Sequence, residues 1–141
     1  QYGMVGWGGT FKTTLEPLRV VQRMVIKIML KKPFDYSTLQ LYHDFPVLTI
    51  DQLYKRAALY QVHKDYFIHG YNPGDIVIPS GRSRRESLLI KVPRKNTATG
   101  QHHYDYLGVR WYNALFSRYE HDKHADPRAI KYMISKYLKE V

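Results

Sequence analysis

The chain has 141 residues, no cysteine, and 22 Lys and Arg against 12 Asp and Glu, a formal net charge of +10. That length buries one modest core without staples, and the missing thiol excludes disulfides, cysteine zinc sites and thiol catalysis. The excess positive charge points to a polyanionic partner, nucleic acid ahead of an anionic membrane surface.

The basicity is spread along the chain. Residues 1–70 carry nine basic and five acidic groups (+4), and residues 71–141 carry thirteen and seven (+6). No run of 18 apolar residues occurs, and Gln22, Arg23 and Lys27 interrupt the apolar stretch Val20–Leu30. The expectation is a soluble intracellular protein, nuclear or cytoplasmic, with no transmembrane helix or secretory signal.

The first residues, Gln1-Tyr-Gly-Met-Val-Gly-Trp7-Gly-Gly9, are apolar and aromatic from the outset. They read as a segment cut from a larger folded unit, in which Tyr2, Met4, Val5, Trp7 and Phe11 seek burial against a core. A helix is expected from an N-cap at Thr14, with Pro17 among its early positions, to a stop before Pro33. Leu18, Val21, Val25 and Ile28 step by 3, 4 and 3, the pattern of a helix whose apolar face packs on a core. Tyr36–Phe45 reads as a short helix or turn ended by Pro46. Thr49-Ile-Asp-Gln52 has the capping-box pattern and opens a second long helix to about Tyr66, with Ile50, Leu53, Tyr54, Ala57, Tyr60 and Gln61 on one side and Ala58 near its edge.

From Gly70 the character changes. Asn72-Pro-Gly74 is a turn signal, and Ile76-Val-Ile78 runs directly into Pro79. Ser87–Val92, a turn at Asn96–Gly100 and His102–Tyr106 together predict a two-stranded hairpin. Val109–Tyr119 then reads as helix. A last helix has Asp126 as cap, Pro127 in its first position, and Ile130, Met133, Ile134, Tyr137 and Leu138 on its apolar face. The expected fold is mainly α with a small β-hairpin: four to five helices in one bundle-like unit. It is a single domain or a fragment of a larger protein, helical over residues 1–67, loop and hairpin over residues 70–106, and helical again over residues 107–141.

Two basic patches stand out. Arg19, Arg23, Lys27 and Lys31 follow each other at i, i+4, roughly 6 Å apart along a helix axis, a spacing comparable to the phosphate repeat of an extended strand. Like charges so placed cost a few tenths of a kcal/mol per pair, and no acidic residue falls among them, so folding alone does not select the ridge; the plain alternative is a solvated face. The second patch is Arg82, Arg84, Arg85, Lys91, Arg94 and Lys95 against the single Glu86, where guanidinium forks suit phosphate. The chain is also rich in aromatics, with 13 Tyr, 5 Phe and 2 Trp. Tyr104, Tyr106, Trp111 and Tyr112 are read as packing residues ahead of base-stacking ones.

Catalytic signatures are lacking. His102-His103 beside Asp105, and His121 with His124 around Asp122, fall short of the three or four converging ligands a zinc site needs. Ser80, Ser83 and Ser117 lack a nucleophile-elbow context, no Gly-rich phosphate loop is followed by Lys-Ser/Thr, and no Asp-Asp pair is available to hold polymerase metals. No catalytic residue, metal or cofactor is assigned.

In order along the chain stand Tyr2-Gly-Met-Val-Gly-Trp7-Gly8, Leu15-x-Pro17-Leu18-x-x-x-Gln22-x-x-x-Ile26, Leu48-Thr-Ile-Asp-Gln-Leu53-Tyr54, Val92-Pro93-Arg94 and Tyr106-Leu-Gly-x-x-Trp111-x-Asn113-x-Leu115. This succession resembles the region after the catalytic palm in reverse transcriptases of jockey-like non-LTR retrotransposons, a class of transposable element. The resemblance runs from Tyr2 to about Leu138. It implies a thumb and the helical structure beyond it, which close on the template-primer duplex of an RNA-directed DNA polymerase while the palm holds the metals. It also places Arg19 and Arg23 on the helix after the Tyr-Gly-x-x-x-Trp-Gly element and a basic segment before Val92-Pro93-Arg94. The chain departs from the family pattern at Leu115-Phe116, where Leu-Pro is expected. The reading is therefore a non-catalytic, thumb-like fragment that grips RNA, DNA or an RNA–DNA hybrid, with the catalytic region of the same polypeptide or another protein as a further partner and no membrane. The alternative is a structural module that docks on a protein through its apolar N-terminal segment and first helix.

Overall fold

The computed structural model describes residues 3–7, 9, 12–70, 73–76, 90–119 and 126–140. Over these residues the chain is mainly helical: α1 (Met4–Trp7), α2 (Lys12–Met29), α3 (Thr38–Asp44), α4 (Ile50–His63), α5 (Ala98–His102), α6 (Tyr104–Arg118) and α7 (Pro127–Glu140). Seven α-helical segments among the described residues exceed the four to five expected, because α1 and α5 are single turns that no 3.6-residue period reveals.

Helix α4 is the hub. It packs on α6 and α7, carries α1 on one side, and meets α2 near its start. Thr49 caps it with the full reciprocal box: its hydroxyl accepts the Gln52 amide N–H, and the Gln52 side chain accepts the Thr49 N–H. Its buried residues are Ile50, Tyr54, Ala58, Leu59, Val62 and His63; of the side expected from sequence, Leu53, Ala57, Tyr60 and Gln61 are only partly buried, because neighbours press on the helix from several directions and turn its buried face towards Leu59, Val62 and His63. The helix then widens into a π turn, Lys64–Ile68. That turn brings Phe67 onto the buried pair His63 and Tyr112, whose Nδ1 and hydroxyl lie 2.9 Å apart.

Contact between α4 and α6 depends on a missing side chain. A Cβ on Gly108 would stand 2.9 Å from Val62 Cγ2 and 3.4 Å from the Ala58 carbonyl oxygen, so glycine here and alanine at position 58 let the two backbones approach. Leu59, Val62, Val109, Tyr112 and Leu115 join Ile130, Ile134, Tyr137 and Leu138 of α7 in one core. The last helix follows its sequence reading closely: the Asp126 carboxylate accepts the Arg128 N–H at 3.2 Å, Pro127 opens the first turn, and four of the five expected apolar positions are buried, with Met133 partly so.

The expected hairpin is not formed among the described residues. Its second strand, His102–Tyr106, spans the end of α5 and the start of α6, because Thr97 and His103 each accept a backbone N–H and cap successive helices. Of its first strand, residues 87–89 lie outside the described residues. Ile90 makes an isolated antiparallel bridge to Ile76, and Lys91–Asn96 continue without a ladder.

The first long helix also departs from expectation. It begins at Lys12, ahead of Thr14, with Pro17 inside it; in the second turn proline lacks only the N–H that would reach the Thr13 carbonyl. At its other end Lys31 adopts a left-handed backbone (φ 52°), and Lys32 N–H bonds the Lys27 carbonyl at 2.8 Å. This is a Schellman stop in which lysine takes the usual glycine position. The helix also faces the other way round. Leu15 and Ile26 are buried, but Val21 (53 %), Val25 (49 %) and Ile28 (65 %) of the expected core face are exposed, as is Leu18. The polar side looks inward. Gln22 donates to the Leu48 carbonyl at 2.9 Å and accepts from the Tyr42 hydroxyl and the Ile50 N–H. The 3-4-3 steps identify an amphipathic helix without saying which body its apolar face meets.

Among the described residues no helix is long and apolar enough to cross a membrane.

Candidate nucleic-acid interface

The first basic patch is held by the protein itself. Arg19 makes a two-pronged contact with Asp51 of α4, Nε to Oδ2 at 2.9 Å and a terminal nitrogen to Oδ1 at 2.6 Å, and adds Glu16 at 3.2 Å. Its side chain is only 15 % exposed. Arg23 also reaches Glu16, at 3.1 Å. Hydrogen bonds from Arg23 and Arg19 hold the Glu16 carboxyl below its ordinary value, and the Asp51 hydrogen bond, with help from Glu16, raises Arg19 further. The ridge is therefore not uncompensated: Glu16, three residues before Arg19, and Asp51, brought in by α4, supply the counter-charges. Lys27 turns back to donate to the Phe34 carbonyl. Only Lys31, past the end of the helix, stands exposed in the described stretch of that series without such a contact.

The second patch is differently built. Arg82, Arg84 and Arg85 lie outside the described residues. Lys91, Arg94 and Lys95 sit on the extended stretch after Ile90, whose side chain is wholly buried. Asn113 of α6 clamps Ile90 like a strand partner: its Oδ1 accepts the Ile90 N–H at 2.9 Å and its Nδ2 donates to the Ile90 carbonyl at 2.8 Å. Lys91 N–H bonds the Asp75 carbonyl at 2.7 Å, and Val92 packs against the main core. Alternation along extended backbone then sends Lys91 outward, and Arg94 is likewise exposed. With Asp75, Val92 and Pro93 they line an open hollow of about 350 Å³. Ion pairs among the described residues engage Arg19, Arg23, Lys32 and Lys95 but neither Lys91 nor Arg94. Lys95 is tied to Asp105 at 2.9 Å. Burial opposes ionisation of Asp105, yet its bonds to Lys95 and His103 hold it below the usual carboxylate value.

Two cations outside both patches escape the sequence reading. Lys55 lies over the rings of Trp111 and Tyr137, with centroids at 5.3 and 5.8 Å, and burial lowers its pKa. Lys131 lies 4.4 Å from the Tyr60 ring. The pairing crosses from helix to helix, so sequence spacing gives no signal for it. The aromatics read as packing residues do pack: Tyr112 is wholly buried, Trp111 meets Tyr54 edge-on at 5.8 Å, and Tyr104 donates to Asp65 at 3.2 Å. Burial, aided by Asp65, pushes Tyr104 up to about 12. Tyr106 lies partly buried under Arg110.

Of the histidine pairs, His103 contacts Asp105 at 2.8 Å, while His121, Asp122 and His124 lie outside the described residues. No group of three His, Asp or Glu side chains gathers at a metal-holding distance among the described residues. No family profile, curated protein or solved structure matches the chain.

Proposed function

We propose that the chain grips the backbone of nucleic acid without performing chemistry of its own, as the thumb-like region after the palm of a jockey-like reverse transcriptase does. The observation that carries this reading is the Lys91–Arg94 stretch. Two exposed cations without a carboxylate partner among the described residues are fixed to the core through Ile90, Val92 and the Asn113 clamp. In sequence Arg82, Arg84 and Arg85 precede this stretch, and the net charge of +10 favours the same kind of partner. The grip belongs to this stretch and to Lys31, while Arg19 fastens α2 to α4 through Asp51 and Arg23 is paired with Glu16 within α2. RNA, DNA and their hybrid all present the phosphates it needs.

The test is fluorescence anisotropy with a labelled RNA–DNA hybrid. A Lys91→Ala/Arg94→Ala variant loses affinity at low salt while keeping its helical signal. Arg19→Gln, in contrast, lowers thermal stability and leaves affinity nearly unchanged. Equal affinity of wild type and the Lys91/Arg94 variant contradicts the reading.

A second reading has its own observation. The exposed apolar stripe of α2 is the kind of surface that soluble monomers seldom leave uncovered, and it supports docking of this helix on a protein, the catalytic region of the same polypeptide or another chain.

A further inference from the structure

Beside the exposed face of α2 lies an open groove of about 580 Å³, floored by Val25, Phe45, Val47, Leu48 and Leu53. Both charged residues that line it, Arg56 of α4 and Lys139 of α7, are cationic. We propose that this groove receives an acidic amphipathic helix of a protein partner, its apolar stripe laid along α2 and its flanking carboxylates meeting Arg56 and Lys139. The proposal rests on the docking reading of α2 and adds the chemistry of what docks.

Shape and charge both select that occupant. The groove opens onto the stripe through Val25, and the stripe from Leu18 to Met29 extends over twelve residues, about 16 Å of helix. That length suits several turns of a helix anchored at i, i+3, i+4 and i+7 and exceeds a small ligand. No carboxylate lines the groove among the described residues, so a basic helix meets like charge there and an acidic one meets opposite charge. A nucleic-acid backbone, with no apolar face, leaves the floor of Val25, Phe45, Val47, Leu48 and Leu53 unused. The long-range field of a +10 chain favours the same sign of partner.

The test uses the full chain and three labelled peptides of equal length with one shared helical apolar stripe, flanked by Glu, by Gln or by Lys. The Glu peptide binds tightest, about five- to tenfold ahead of the Gln peptide for two exposed ion pairs, and the Lys peptide binds weakest. Arg56→Glu/Lys139→Glu reverses that order. Val25→Asn, at a half-exposed position and so without effect on the helical signal, weakens all three peptides. Equal binding of the Glu and Gln peptides overturns the acidic partner while leaving docking on α2 in place. Binding of none of the three overturns the docking reading as well. Displacement of the Glu peptide by an RNA oligonucleotide whose own binding the Arg56/Lys139 variant abolishes overturns the proposal in favour of nucleic acid.

Discussion

Single polar side chains set the geometry on which the functional reading depends. Asn113 is buried and satisfies both backbone groups of Ile90, so Asn113→Ala leaves a donor and an acceptor unpaired in the core. Each such orphan costs about 1–3 kcal/mol. The expected result in urea denaturation is a loss of roughly 2–6 kcal/mol, together with weaker nucleic-acid binding, because the Lys91–Arg94 stretch loses its clamp; unchanged stability counts against the clamp. Gln22 acts similarly, joining α2 to Leu48, Tyr42 and Ile50. Asn113 and Gln22 both stand in the motifs that carry the family resemblance, and their roles in this fold are architectural. No local pattern reveals such roles, since each partner lies twenty or more residues away.

At the scale of elements, Gly108 is a point of close approach between α4 and α6. Gly108→Val forces side-chain atoms into Val62 and the Ala58 carbonyl, and overpacking of this kind costs about 1–3 kcal/mol or more. Gly108→Val is expected to lower the melting temperature well beyond Gly6→Ala, whose Cβ meets nothing within 4 Å; equal effects refute the close-approach account. Legibility in the sequence also divides at this scale. The capped starts of α4 and α7 follow their sequence reading, and so does the apolar face of α7, because capping acts within a few residues; the buried face of α4 does not, because it is set by the helices around it. The hairpin fails because His102 ends the helix that Thr97 caps and Tyr104–Tyr106 open the helix that His103 caps, and these caps outweigh the β propensity of the two tyrosines. The orientation of α2 is not legible, because amphipathicity is local while the choice of neighbour is tertiary. Glu16, three residues before Arg19, is readable as its partner; Asp51, thirty-two residues on, is not.

For the whole molecule, buried Tyr112 and half-buried Tyr104 are expected to set the alkaline limit. Burial raises Tyr112 strongly, and burial with Asp65 raises Tyr104 to about 12, from an ordinary 10.0. A folded pKa above the unfolded one contributes stability that is fully present below the unfolded value and is lost as pH climbs through the folded one. Lys55 acts oppositely: burial lowers its pKa, so its desolvation cost fades as pH rises towards the ordinary lysine value. The melting midpoint monitored by circular dichroism is therefore expected to hold or rise slightly up to about pH 10, the ordinary tyrosine value, and fall above it, with Tyr112→Phe falling less steeply from its own neutral value. A decline that starts near neutrality contradicts this assignment.

The central claim, a grip on phosphates by the Lys91–Arg94 stretch, is tested most directly by the salt dependence of binding. The slope of log K against log salt for an RNA–DNA hybrid is read for wild type and for Lys91→Ala/Arg94→Ala. Each phosphate contact contributes about one unit to that slope, so the account predicts a steep decline with salt for wild type and a slope shallower by about two units for the variant. A flat slope in wild type, or identical slopes in the two proteins, contradicts it.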